Sequence, residues 1–221
     1  MAKVIIFGIL DTAELAHWYL NNDSDHEVVA FTVHKKYIKE DSSTFRGLPL
    51  IEFENIENQY PPNEYKLFAP MTARNMNKLR ESIYLEGKRK GYDYISYISS
   101  KATICGNEIG ENCFILEDNT IQPFTKLGNN IVLWSGNHIG HHGEIKDHVF
   151  FTSHVVMSGH CTIESHCFFG VNATIRDYSK IKQGTLLAMG SSLINQETEK
   201  WGVYVGNPAK KKGDKPSYEV F

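Results

Sequence analysis

The chain has 221 residues, 41% of them hydrophobic and 22% charged, with a formal net charge of −3 and a pI near 6.4. That length suits one large or two small domains with real cores, and the slight acidity argues against a nucleic-acid or anionic-membrane partner, which ordinarily brings a basic excess. No apolar run approaches the roughly 18 residues of a membrane span, and the opening residues are too short before Gly8 and Asp11 to be a secretory signal.

Val4-Ile5-Ile6-Phe7-Gly8 reads as a short buried strand. Asp11 or Thr12 is placed to cap a helix running through Ala13, Leu15, Ala16, Trp18, Tyr19 and Leu20. Val28 to Val33 is a second strand, and a Pro-Pro turn at 61 and 62 precedes a third, Tyr65 to Ala69. Residues 71–90 read as an amphipathic helix with Met76, Leu79, Ile83 and either Tyr84 or Leu85 toward the core. Tyr94 to Ile98 is a last strand. Strands alternating with helices predict a small, Rossmann-like parallel sheet.

In such sheets the first strand–helix turn is the usual phosphate site. Here it is Gly8-Ile9-Leu10-Asp11-Thr12-Ala13. Leu10 stands where a dinucleotide fingerprint has its middle Gly, and Val33-His34-Lys35 offers no acid to hold a ribose. Nicotinamide binding is therefore not expected. Nucleotide binding of another kind and a purely structural turn both stay open.

From Ile109 to Leu193 a large apolar residue sits at every sixth position: Ile109, Ile115, Ile121, Leu127, Leu133, Ile139, Ile145, Phe151, Met157, Ile163, Phe169, Ile175, Ile181, Leu187, Leu193. Neither a helix nor an alternating strand requires that period. A hexapeptide repeat is the mark of a parallel β-helix, each hexad giving one short strand and one corner. Four residues after each key position stands a second, mostly small column, running from Cys113 to Ser191. A triangular prism needs that pairing of one large and one small inward residue. Fifteen hexads make five coils, a prism roughly 24 Å long at the inter-strand spacing of about 4.8 Å. Ile98 and Ile104 extend the pattern one residue out of phase.

The cysteines are Cys105, Cys113, Cys161 and Cys167, with no CxxC pair. Three fall in the small inward column and read as buried core residues rather than disulfide or metal partners. A reducing, cytoplasmic setting follows. Seven of the ten histidines lie between 138 and 166. His142, His148, His154, His160 and His166 share one hexad position, a corner, and are expected to be exposed or at a subunit groove. His141 alone sits two residues after a key position. Prism carbonic anhydrases pair zinc ligands with four residues between them. No H-x4-H occurs here, so no metal is expected.

A Rossmann-like domain followed by a hexapeptide prism, closed by Val205-Gly206-Asn207-Pro208-Ala209-Lys210, resembles a family of bacterial sugar acyltransferases. It includes the sialic-acid O-acetyltransferases and the bacillosamine-pathway and perosamine N-acetyltransferases. The resemblance implies an α/β domain over 1–97 and an all-β left-handed parallel β-helix over 98–221. It implies a cytoplasmic homotrimer with acetyl-CoA lying between neighbouring prisms, and an acetyl-CoA-dependent N-acetyltransferase acting on a nucleotide-linked deoxy-amino sugar for surface polysaccharide. The alternatives are O-acetylation of a sugar or sialic acid, or a silent trimeric scaffold. Matching the family's histidine segment to Ser135-Gly136-Asn137-His138-Ile139-Gly140-His141-His142 makes His141 the general base. Histidine suits that task because its ordinary pKa, about 6.5, lets it accept a proton at neutral pH. Gly8, Ile9, Leu10, Asp11, Asn137, His138, His142 and His154 are then the substrate contacts. Gly159, Gly170, Val171, Ala188, Gly190 and Lys210 are the acetyl-CoA contacts. Two departures stand out: His142 takes the place of an acid that often follows the base, and the nucleotide turn lacks its middle Gly.

Overall fold

The computed structural model describes residues 1–39, 41–194 and 197–221. Its first part is a five-stranded sheet built from β1 (Lys3–Phe7), β2 (Glu27–Val33), β3 (Thr44–Phe45), β4 (Leu48–Glu52) and β5 (Tyr65–Phe68), in the order β3-β4-β2-β1-β5. All pairs are parallel except the β3–β4 hairpin. Helix α1 (Asp11–Asn22) follows β1 and helix α2 (Lys78–Arg89) follows β5.

Three local expectations change. Helix α1 takes Leu10 as its N-cap, in extended backbone and with no capping side chain, so Asp11 and Thr12 lie inside the first turn. There Asp11 and Glu14 complement the helix dipole. Strand β4 went unread because Pro49 interrupts its pattern; Pro49 lies outside the parallel ladder with β2, which begins at Leu50, and faces Thr44 of the β3 hairpin. The predicted helix over 71–90 starts only at Lys78, because Asn75, Met76 and Asn77 have φ of 54°, 48° and 65°. A right-handed helix cannot run through left-handed residues. Met76, Ile83 and Tyr84 are buried as expected, whereas Leu79 and Leu85 face outward.

From Tyr97 the chain winds as a parallel β-helix with three faces. We call the first the docking face. Its strands include Tyr97–Ile98, Phe114–Ile115, Val132–Leu133, Phe150–Phe151, Phe168–Phe169 and Leu186–Leu187. The neutral face includes Thr120–Ile121, His138–Ile139, Val156–Met157, Thr174–Ile175 and Ser192–Leu193. The charged face is Lys126–Leu127, Glu144–Ile145, Thr162–Ile163 and Lys180–Ile181. Key residues stack directly, Ile115 on Leu133 on Phe151 on Phe169, one coil apart. The first coil is one residue short: Ile98 pairs with Ile115 and Ile104 with Ile121. That deletion is the phase slip seen in the sequence.

Both inward columns are buried from Ile115 and Cys113 to Leu193 and Ser191. Polar members of the small column bond to backbone inside the prism. Asn119 donates to the carbonyl of Leu116, and Thr125 to that of Gly140. The third residue after each key position turns a corner in the left-handed region, at φ between 54° and 69° for Asn112, Asp118, Phe124, Asn130, His142, His148, His154, His160, His166, Asn172 and Tyr178.

The outward residues of the docking face, Phe114, Val132 and Phe150, are buried under the N-terminal domain. They join one core with Val4, Ile6, Ala16, Leu20 and Phe68. Asp23, closing α1, accepts hydrogen bonds from Tyr97 Oη at 2.6 Å, Ser99 Oγ at 3.0 Å and Ser100 N at 2.9 Å. Helix α2 lies on the corner between the charged and docking faces. Its fully buried Arg80 donates to the carbonyl of Asn130 and, at 2.8 Å, to Asn77 Oδ1. Glu81 meets His148 Nε2 at 3.4 Å and His166 Nε2 at 3.0 Å. These two corner histidines are buried, not exposed as their column suggests, because α2 covers their corner.

Burial pushes the His148 imidazole down to about 4, against the pull of the Glu81 carboxylate and with help from His166 and Arg80. A histidine lowered by folding takes up protons more readily when unfolded. Its stabilisation is full above about pH 6.5 and is lost progressively toward pH 4. Urea unfolding at pH 7, 5.5 and 4.5 should show falling stability across that window. His148→Gln should flatten the decline, and an undiminished slope in that variant would assign the acid sensitivity elsewhere.

Candidate active site

His141 lies on the corner between the neutral and charged faces, the corner farthest from the docking face. It is exposed, and its backbone N–H donates to Gln122 Oε1 at 3.1 Å. The ring lies over Gly159, where a Cβ would come within 2.8 Å of His141 Cε1. Gly159, expected at the cofactor arm, thus seats the His141 ring. His142 follows on the same corner, its Nδ1 at 3.0 Å from His141 Nδ1. His160, one coil further on, stacks on His142 with centroids 5.1 Å apart. Phe124 and Tyr178 extend this stack at either end, each at 4.6 Å.

Two adjacent Nδ1 atoms share one proton. If His141 donates through Nδ1–H to the His142 lone pair, its Nε2 is left as the basic atom, facing solvent. Among the described residues no hydrogen bond engages that Nε2. The Nδ1–Nδ1 contact ties the His141 ring to His142 on this corner.

The other expected residues divide by corner. His138 lies half-buried on the neutral face, one strand before His141. Asn137 does not join the site. It points into the prism, 1% exposed, donating to Asn119 Oδ1 at 2.9 Å and accepting from Val155 N at 2.8 Å. A substrate does not reach it there. His154 sits on a different corner, between the docking and neutral faces, with its ring against Gly136. Gly170, Val171, Ala188 and Gly190 lie on that same corner in the next two coils. Within one chain the other residues expected to contact acetyl-CoA therefore border one edge of the neutral face, and His141 with Gly159 borders the other. Lys210 is exposed on the short strand Lys210–Lys211, which pairs with Val203–Val205, while Lys211 is tied to Glu199.

Gly8 follows β1 directly at φ 124°, a conformation L side chains rarely adopt, and its N–H donates to Thr32 O at 2.8 Å. Ala13 packs against it, where a Cβ would lie 3.2 Å away. Leu10 is 75% exposed. The sheet changes winding direction between β1 and β5, so Gly8, Ile9 and Leu10 sit at the switch point beyond the strands' carboxyl ends. Open α/β sheets bind ligands at that place. A cleft of about 360 Å³ opens elsewhere, beside α1, among Trp18, Tyr19, Asp23, Ser99, Lys101 and Glu117. It brings two carboxylates and one lysine, a poor match to phosphate.

No family model matches the chain, and no curated protein matches it in sequence. Its architecture, a small α/β sheet followed by a left-handed hexapeptide prism, is nevertheless found in solved structures that include acetyltransferases. PerB from Caulobacter crescentus, solved with CoA and GDP-perosamine, superposes at a TM-score of 0.82 over 96% of this chain and 98% of its own, with 17% identity. The acetyltransferase domain of PglB from Neisseria gonorrhoeae, in complex with acetyl coenzyme A, gives 0.80 over 95% and 98%, with 16% identity. WeeI from Acinetobacter baumannii gives 0.78 over 96% and 100%, with 18% identity. At these identities the likeness is one of fold.

Gly159→Ala should push the His141 ring off its seat while sparing the coils, because the new methyl meets a side chain. Imidazole NMR signals of His141 and His142 should move and those of His154 should not. Unmoved His141 signals would mean that the ring is not held by this contact.

Proposed function

We propose that the chain is an acetyl-CoA-dependent N-acetyltransferase acting on a nucleotide-linked deoxy-amino sugar, in the cytoplasm and for surface polysaccharide. The observation that carries this reading is the exposed His141–His142 pair on a prism whose whole fold matches proteins solved with CoA and an amino-sugar nucleotide. The sugar amine attacks the thioester carbonyl of acetyl-CoA. His141 Nε2 takes the proton of the amine, and a backbone N–H at a prism corner stabilises the oxyanion. Collapse forms the amide and expels CoA as thiolate, which is protonated as it leaves. General-base help of this kind is worth about 10²–10⁴-fold.

The working site is an intersubunit one in this reading. The N-terminal domain covers the docking face, while His141 stands on the opposite corner. A nucleotide sugar on Gly8, Ile9, Leu10 and Asp11 therefore reaches the His141 of a neighbour, not its own. The neutral face offers the surface for that neighbour. Its outward residues, Thr120, His138, Val156, Thr174 and Ser192, carry no fixed charge, unlike Lys126, Glu144 and Lys180 on the charged face. Packing two neutral faces edge to edge in a trimer brings one chain's Gly170, Val171, Ala188 and Gly190 to another's His141, with Lys210 placed to meet CoA phosphate.

One observation favours O-acetylation of a simpler sugar as the second reading. Asp11 and Glu14 stand in the first turn of α1, where they oppose a bound phosphate.

His141→Asn should lower acetyl-CoA-dependent CoA release, screened over dTDP-, GDP- and UDP-linked amino sugars, by about 10²-fold or more with the fold intact. If that variant stays active and His154→Ala does not, the base is misassigned. Light scattering should give roughly three times the 25.2 kDa chain mass, and a monomer would remove the shared site. Leu10→Glu spares the constrained backbone of Gly8. It should raise KM for the nucleotide sugar and leave KM for acetyl-CoA unchanged; no change in either would point to the simpler sugar.

A further inference from the structure

The corner that holds His141 carries more imidazole than a general base uses. His141, His142 and His160 are all exposed, and one ring nitrogen from each lies within 4.8 Å of the others. His141 stands edge-on to both partners, at 5.1 Å and 89° in each case. His142 and His160 are parallel to within 15°. Elsewhere in the chain His34, His148 and His166 have carboxylate partners. Among the described residues no carboxylate pairs with these three.

We propose that His141, His142 and His160 form a site for one borderline transition-metal ion, of the class of Zn²⁺, Co²⁺ or Ni²⁺, and that occupancy silences His141 as a base. Neutral imidazoles are ligands for these ions, and the absence of an oxygen donor in the cluster disfavours Mg²⁺ and Ca²⁺. Tetrahedral zinc with Zn–N of about 2.0–2.1 Å sets its ligand atoms roughly 3.3 Å apart. The 3.0 Å between the Nδ1 atoms of His141 and His142 is close to that edge. The His160 ring must tilt from its stack toward His142, a rotation that an exposed side chain can make.

The backbone supplies the convergence. His142 and His160 occupy the same corner one coil apart, at φ 54° and 58°, so their side chains leave in parallel. The N–H of His160 donates to the carbonyl of His141 at 2.9 Å, which fixes the third ligand relative to the first. Phe124 and Tyr178 close the two ends of the ring stack and limit its spread. A metal on His141 uses a lone pair or tautomer that proton abstraction needs. The binding half of the proposal stands by itself, whereas the inhibitory half rests on the acetyltransferase reading above.

The full-length protein, stripped with chelator, is titrated with Zn²⁺ by calorimetry and with Co²⁺ by visible absorption. The expected result is one ion per chain, tetrahedral Co²⁺ bands at pH 7.5, and loss of binding at pH 5.5 as protons compete. His160→Phe keeps the stack with Tyr178 and should weaken binding at least tenfold. His154→Phe, on another corner, should leave it unchanged. Absence of Co²⁺ bands at millimolar metal, or equal affinity in His160→Phe, would overturn the site. CoA release by the stripped enzyme should fall with Zn²⁺ occupancy and return with EDTA. Full activity at saturating occupancy would overturn the inhibitory role. Loss of activity on stripping, with recovery on zinc, would overturn it too and make the metal a cofactor. Binding that depends on His160, in a protein that transfers acetyl to none of the sugars, would uphold the metal site and sink the functional reading alone.

Discussion

The prism turns a corner every six residues, and from Asn112 to Gly190 each corner passes through a residue in the left-handed backbone region. That constraint governs the rest of the molecule. The left-handed region is uncommon for residues with a Cβ, and Asn, Asp and His are the side chains most enriched there. The corner column reads Asn112, Asp118, Phe124, Asn130, Gly136, His142, His148, His154, His160, His166, Asn172 and Tyr178. No β-branched residue enters it. The run of histidines is thus first a conformational solution. Chemistry follows from where each corner lies: under α2 for His148 and His166, open beside His141 for His142 and His160.

The same geometry assigns the faces. The residue before each key position points outward, so its polarity tells what covers that face. At eighteen-residue intervals Phe114, Val132, Phe150, Phe168 and Leu186 are apolar, and the docking face is covered by the N-terminal domain, with the Phe221 ring tilted against Phe168 at 4.3 Å. The intervening columns are neutral or charged and stay free of the first domain. Burial of aromatic side chains, each contributing about 1.5–3 kcal/mol when fully removed from water, drives that docking. The Asp23 hydrogen bonds and the Arg80 network then fix its orientation.

The prism was legible in the sequence because its inward columns repeat with a fixed period, and even the short first coil showed as a phase slip between Ile104 and Ile109. The site was legible in part. His141 and His142 emerged from a motif, but the corner column says only that a residue turns a corner, not which of the three. His148 and His166 therefore read as exposed or at a groove, and His154 as a substrate contact alongside His138 and His142. Reading the outward column at a spacing of eighteen would have separated the corners. Asn137 fell into the site by adjacency to His138 and His141, although its own column is the buried one. Helix α2 was overdrawn because apolar periodicity through Met76 and Leu79 gives no sign of three successive left-handed residues. The eighteen-residue spacing alone stacks His142 with His160 on one corner and His148 with His166 on another, as the structure has them.

Helix α2 brings Asn77, Arg80 and Glu81 to partners on three successive coils, at Asn130, at His148 and Val149, and at His166 and Cys167. All those partners lie later in the chain. On the ribosome the N-terminal domain emerges first, with Arg80 and the apolar flank of α1 still facing water. Its final seating waits until the coil through Cys167 has closed. The order of synthesis thus opposes the order of docking, and the nascent first domain is the segment whose exposed surface most needs protection before the prism is complete.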